Sequence, residues 1–209
     1  MNLSDLPDSY LTLAGEGQAE AKVQRSRFIA AAGPADSEEA AKAFIENMAR
    51  RYHDSRHVCH GWRLGFHPSP VENRSDAGEP SGTAGEPILA AIRKLDLTDV
   101  VVVVVRYFGG VKLGTGGLQR AYGGAAELAL SAAPVREVLL GREFTLEFPY
   151  SFQKTLRHLL ESHRGQILAE EYGESVQWKI WLPHSAWQAL EAELTEASAG
   201  TVRLVPDSA

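Results

Sequence analysis

The chain has 209 residues, 44% hydrophobic and 23% charged, a balance that excludes a disordered polymer and allows two ordinary hydrophobic cores. No run approaches the roughly 20 apolar residues of a bilayer-spanning helix, and a formal charge of −6 excludes a protein that coats duplex DNA with its whole surface. Residues 1–140 hold 15 basic and 17 acidic side chains and residues 141–209 hold 6 and 10, so any basic face is local. Its candidates are Arg56, Arg63, Arg106, Lys112 and Arg120; the competing reading scatters these charges over the surface. Cys59 is the single cysteine and allows no intrachain disulfide. The first residues are acidic and lack the regions of a secretory signal, so a cytoplasmic location is expected.

In chain order, residues 21–33 (AKVQRSRFIAAAG) read as an opening strand anchored by Val23 and Phe28 and ended by Pro34. Asp36 and Glu39 have capping-box spacing ahead of a helix running to about Arg51, with Ala40, Phe44, Ile45 and Met48 on one face. Residues 55–66 alternate as a strand. Its period of two places His57 and Cys59 on one face, with His60 as a third possible metal ligand. No second cluster completes a tetrahedral site, and strand packing is the other reading. Residues 67–86, crowded with Pro, Gly, Ser and acids, are expected to form a long loop, and a helix follows from Pro87 through Ile88, Leu89, Ile92 and Leu95. Six valines, 100 to 105, form a strand buried on both faces. A helix from Gly116 to about Ala132, with Thr115 at its cap, is indicated by Leu118, Tyr122, Ala125, Leu128 and Ala129, and Pro134 closes it.

The last 70 residues change character. REFTLEF is a strand, SFQKTLRHLLESH a helix, and QILAEEY and VQWKIWL two strands turning at Gly173. A helix with capping-box spacing at Ser185 and Gln188 follows, and TVRLV (201–205) is the last strand. Trp178 and Trp181 fall on opposite faces of their strand. The order βαββαβ is the ferredoxin-like split motif, so the chain is expected to be α+β with two domains, 1–140 and 141–209.

Chemistry should gather where the valine strand ends. One glycine-rich loop, SDAGEPSGTAG (75–85), offers Asp76, Gly78, Glu79, Ser81, Gly82 and Thr83; the other leaves the strand at Arg106 and carries Lys112, Thr115 and Gly116 toward Arg120. Unpaired amides at a helix start beside these cations suit a phosphate or other anion. Glycines chosen only for positive φ and close backbone approach are the alternative. The segment has neither GxxxxGK[ST] nor GxGxxG order, and no GxSxG elbow surrounds Ser81. Asp76 and Glu79 offer acid–base or metal chemistry, or form a solvated acidic loop. Tyr107, Phe108 and Tyr122 interleave rings with the cations, as RNA-binding surfaces do, and are equally candidates for the core.

GEPSGTAG (78–85), VVVVVRYFGGVKLGTGGLQRAYG (101–123), SRFIA (26–30) and His57-Val58-Cys59 together resemble the IMPACT/YigZ family over about residues 22–132. The resemblance implies a first domain like the second domain of small-subunit ribosomal protein five, and a second like the fifth domain of elongation factor G. It implies a translation-linked regulatory or binding protein engaging RNA, the ribosome or a translation-factor protein; no metal, no cofactor and no membrane partner are expected. Eukaryotic members restrain a stress-activated translation-initiation kinase by competing for its activator; their separate partner-binding module is not seen in this sequence, so that pathway is not carried over. The family's paired aspartates before Gly-Glu-Pro are here Asp76 and Ala77, which removes support for a two-carboxylate mechanism. An enzyme using the same cleft for a phosphate or nucleotide ligand is the alternative.

Overall fold

The structure is a computed structural model that describes residues 7–66, 69–202 and 205–206. By its contacts the chain divides into a unit spanning Tyr10–Val138 and a second formed by Leu139–Ala209 with the N-terminal segment Met1–Ser9. The first unit begins with β1 (Ser9–Leu13), which forms a two-stranded sheet with β7 (Val135–Leu139). β2 (Gly17–Val23) and β3 (Ser26–Pro34) are an antiparallel hairpin rather than the single expected strand. Gln24 and Arg25, at φ 42° and 68°, supply the left-handed turn that sequence periodicity does not report. α1 (Glu38–Arg51) is capped by Ser37, whose Oγ accepts the Ala40 amide, and not by Asp36. β4 (His57–Leu64) and β5 (Val71–Ser75) then pair, so the expected long loop contains a strand. β5 is a polar edge strand without an apolar face to announce it. α2 (Gly85–Lys94) starts two residues before Pro87, and β6 (Val100–Tyr107) and α3 (Gly114–Ala132) complete the unit.

The five-stranded antiparallel sheet has the order β2-β3-β6-β4-β5. Its centre is the valine strand, and period two divides the valines between two cores. Val100, Val102 and Val104 pack with α2 and α3 residues such as Ile88, Leu118 and Tyr122. Val101, Val103 and Val105 pack with α1, against Ala41, Met48 and the half-buried Phe44 and Ile45. A continuous apolar run here marks an antiparallel strand covered on both faces. Position 106 inherits the parity of Val104, which sends a guanidinium toward the α2–α3 side.

The second unit carries β8 (Gly141–Phe148), α4 (Gln153–Ser162), β9 (Gln166–Tyr172), β10 (Val176–Pro183), α5 (Trp187–Ala197) and β11 (Val205–Pro206). Sheet order β11-β8-β10-β9 gives the expected βαββαβ arrangement, and the whole is an α+β protein of two domains. Residues 203–204 of the expected last strand lie outside the described residues. Ser185 is not a helix cap: its amide donates to Asp8 Oδ1 at 2.8 Å and its hydroxyl to Asp8 Oδ2 at 2.5 Å, and α5 starts after Ala186 without a side-chain cap. Among the described residues no helix is long and apolar enough to cross a membrane.

Trp178 is the largest fully buried side chain of the second unit, edge-on to Phe148 with ring centroids 4.9 Å apart and covered by the Arg157 guanidinium at 4.8 Å, whereas Trp181 on the other face is half-buried. Trp178→Ala should destabilise this unit by about 3–5 kcal/mol, read as a lower urea midpoint by circular dichroism. A change below about 1 kcal/mol would contradict the packing described.

Candidate functional site

The 76–85 loop is built around one carboxylate. Asp76 Oδ1 accepts the amides of Ala84 and Gly85, and Oδ2 accepts that of Gly82, each at 2.8 Å. These donors include the start of α2, so Asp76 serves as its cap from outside the helix. Burial raises the Asp76 pKa, but the amides of Gly82, Gly85 and Ala84 outweigh burial and hold it below the usual range. Thr83 is buried with its hydroxyl donating to Pro80 O at 2.6 Å, while Ser81 and Gly78 are exposed on the rim. β4 pins the loop from beneath. His57 Nδ1 donates to Ala77 O at 3.0 Å, and Cys59 Sγ donates to Asp76 O at 2.9 Å. Burial pushes the Cys59 thiol up to about 12, so it is a packed thiol rather than a thiolate nucleophile. His60 falls on the opposite face of β4 by parity and joins neither. Among the described residues no three His, Cys, Asp or Glu side chains gather as a metal-holding group.

Ala77 sits at φ 42°, in the left-handed region where aspartate is enriched and alanine is strained. The second aspartate expected from the resemblance would suit this backbone, which gives the position a conformational reason separate from acid–base chemistry.

Glu79 and Arg106 lie beneath the loop. Their side chains are 4% and 6% exposed and meet at 2.6 Å. Glu79 Oε1 also accepts the Tyr122 hydroxyl from α3 at 2.8 Å, and Arg106 reaches Ser26 Oγ at 3.5 Å. Arg106 further lies between the rings of Phe28 and Phe108, at 5.6 and 5.4 Å. This corrects two sequence expectations. Arg106 is a buried ion-pair partner of the fold rather than a surface phosphate ligand, and Tyr122 is a core ring rather than a stacking platform.

The second loop lies above this pair. A Cβ at Gly109 would overlap the Arg25 carbonyl in the β2–β3 turn, so only glycine allows that approach. Gly109 N donates to Ser26 Oγ at 3.2 Å, tying the second loop to β3, and Gln119 Nε2 of α3 donates to Gly82 O of the 76–85 loop at 3.2 Å. Thr115 is the second residue of α3 and not its cap; Leu113 holds the cap position without a side-chain hydrogen bond. The first amides of α3 therefore have no capping side chain, and its first turn has no acidic residue. Lys112, Thr115 and Arg120 are exposed there, and the Arg120 guanidinium folds back to within 3.5 Å of where a Gly116 Cβ would stand. Arg63 is not brought to this place. It sits at the far end of β4, opposite Val100, paired with Glu72 at 3.6 Å and Asp96 at 3.4 Å. Phe108 is 57% exposed and Tyr107 is half-buried, its hydroxyl donating to Asp54 at 2.6 Å.

The geometry thus separates two helix starts. That of α2 is filled by Asp76, whereas that of α3 has no side-chain cap and carries the exposed cations Lys112 and Arg120 nearby. Asp54 is the member of this surface that the sequence does not flag, because its role comes from Tyr107 across the sheet end.

The sequence profile of the Impact N-terminal domain matches residues 24–130, and that of a domain of unknown function (DUF1949) matches residues 146–201. The chain is 35% identical over 202 residues to the IMPACT family member YigZ of Escherichia coli strain K12, covering 95% of this chain and 98% of that one. It is 43% identical over 161 residues to an IMPACT family member from Thermus thermophilus, covering 77% and 86%. A crystal structure of a hypothetical protein superposes with a TM-score of 0.65 at 35% identity, covering 97% of this chain and 99% of that one.

Two outcomes test this architecture. Arg106→Ala strands Glu79 in the core and should cost about 3–5 kcal/mol, seen as a large fall in melting temperature. Asp76→Ala should cost about 1–3 kcal/mol at neutral pH. Because the folded pKa of Asp76 is depressed, its contribution is present above the unfolded value of about 3.9 and disappears as pH falls through the folded value. The stability gap between Asp76→Ala and the parent should therefore close below about pH 4 in denaturation curves.

Proposed function

Because this chain belongs to the IMPACT family, we propose that it is a translation-linked binding protein that engages RNA of the translation machinery through the loops at 76–85 and 106–117. The observation that carries this reading is the division of labour within the site. Asp76, Glu79, Arg106, His57 and Cys59 are committed to partners within the protein. The exposed groups are Lys112, Arg120 and Phe108, with the uncapped start of α3 beside the two cations. Cations and helix amides hold phosphates, and an exposed ring stacks on unpaired bases. The alternative of a phosphate-ligand enzyme asks Asp76 and Glu79 to be acid, base or metal ligand; their existing partners favour binding. The resemblance of both domains to pieces of the translation apparatus supports this partner class and, with it, a cytoplasmic location. A chain of net charge −6 binds RNA only through such a local patch.

Sedimentation with ribosomes, or anisotropy with labelled single-stranded RNA, tests the proposal across a salt series. Affinity should fall linearly with the logarithm of salt, and Lys112→Ala or Arg120→Ala should each weaken binding and lower the slope by about 0.7 for single strands. Both side chains are exposed, so the variants should keep the parent melting temperature. The absence of any association at low salt would defeat the reading.

A further inference from the structure

We propose that the pocket at the end of β4 and β6 receives one unstacked RNA base, its ring lying on Phe108 and its N–H edge against Asp54 and His57. This rests on the RNA-binding reading above and adds which part of the RNA the surface takes. The pocket measures about 350 Å³ and is lined by Asp54, Arg56, His57, Arg106, Tyr107 and Phe108.

Each wall has a chemical character. Phe108 is a large apolar ring left 57% exposed, and the Arg106 guanidinium 5.4 Å from its centroid supports it. A ring supported this way is a preformed stacking platform, and every base offers a π-face to it. Asp54 is oriented by the Tyr107 hydroxyl at 2.6 Å, which also holds its carboxyl below the usual range and so ionised. One such bond leaves the carboxylate further acceptor capacity. His57 donates through Nδ1 to Ala77 O, so in the neutral ring Nε2 is an acceptor.

An anion with a second acceptor beside it repels phosphate and accepts from N–H groups. That argues for a base in the pocket, with its phosphate outside. Arg56 is exposed at the rim, where it meets the adjoining phosphate. The Arg106 guanidinium, held by Glu79, belongs to the same wall.

The test compares a labelled single-stranded RNA with an abasic strand of the same backbone length, by anisotropy with the full chain. The parent should bind the base-bearing strand about tenfold more tightly. Phe108→Ala should abolish that preference while leaving affinity for the abasic strand and the salt slope unchanged, Phe108→Tyr should retain it, and Phe108→Leu should lose it. Lys112→Ala should weaken both strands alike. Equal binding of the two strands by the parent, or an equal loss for both in Phe108→Ala at unchanged melting temperature, would overturn the base pocket and leave RNA binding standing. If the parent binds neither strand, the RNA-binding reading fails and the base pocket with it.

Discussion

The buried pair of Glu79 and Arg106 is the constraint on which the first domain's working surface depends. It joins four segments distant in sequence: the 76–85 loop, the end of β6, the start of β3 through Ser26, and α3 through Tyr122. Two charges removed from water cost more than their attraction returns unless further hydrogen bonds complete them. Here Tyr122 supplies one bond to Glu79 and Ser26 a long one to Arg106, while Phe28 and Phe108 flank the guanidinium. The pair fixes where the loops lie more than it adds stability. Glu79 reaches Arg106 only if its loop folds down over the sheet, and Asp76 and Cys59 hold the loop there.

With these groups occupied beneath the surface, the upper side of the loops is left to exposed cations and one ring. The two helix starts show the physical difference. Asp76 satisfies the amides at the beginning of α2, so that terminus has no remaining attraction for an anion. Leu113 cannot do the same for α3, and Lys112 and Arg120 add positive charge beside its unpaired amides. A surface that binds an extended polyanion needs outward donors without an internal carboxylate competing for them, and of these two helix starts the α3 end meets that condition.

Much of the scaffold was legible in the residues. The valine run marked the central strand because no other backbone state tolerates six β-branched residues flanked by apolar cores so well. The βαββαβ order of the last 70 residues followed from alternation and helical spacing, and the two glycine-rich loops stood out by composition. Less legible were β5, whose VENRS sequence has no apolar face, and the β2–β3 turn, where Gln24 and Arg25 adopt positive φ without glycine or asparagine. The cap of α1 moved from Asp36 to Ser37, since two adjacent residues both offer a short oxygen and only geometry chooses between them.

The candidate site divides along the same line. Residue identity alone established that cations, carboxylates, glycines and aromatic rings cluster in two loops at the end of one strand, because local propensity and period two depend on near neighbours. Whether a given charge faces water or a partner depends on residues far along the chain. Folding buried Arg106 against Glu79, turned Tyr122 into core, carried Arg63 to the far end of the sheet, and left Lys112, Arg120 and Phe108 exposed. Desolvation and pairing are properties of the assembled fold, so the glycine-rich loops could be found in the sequence while the roles of their charges could not.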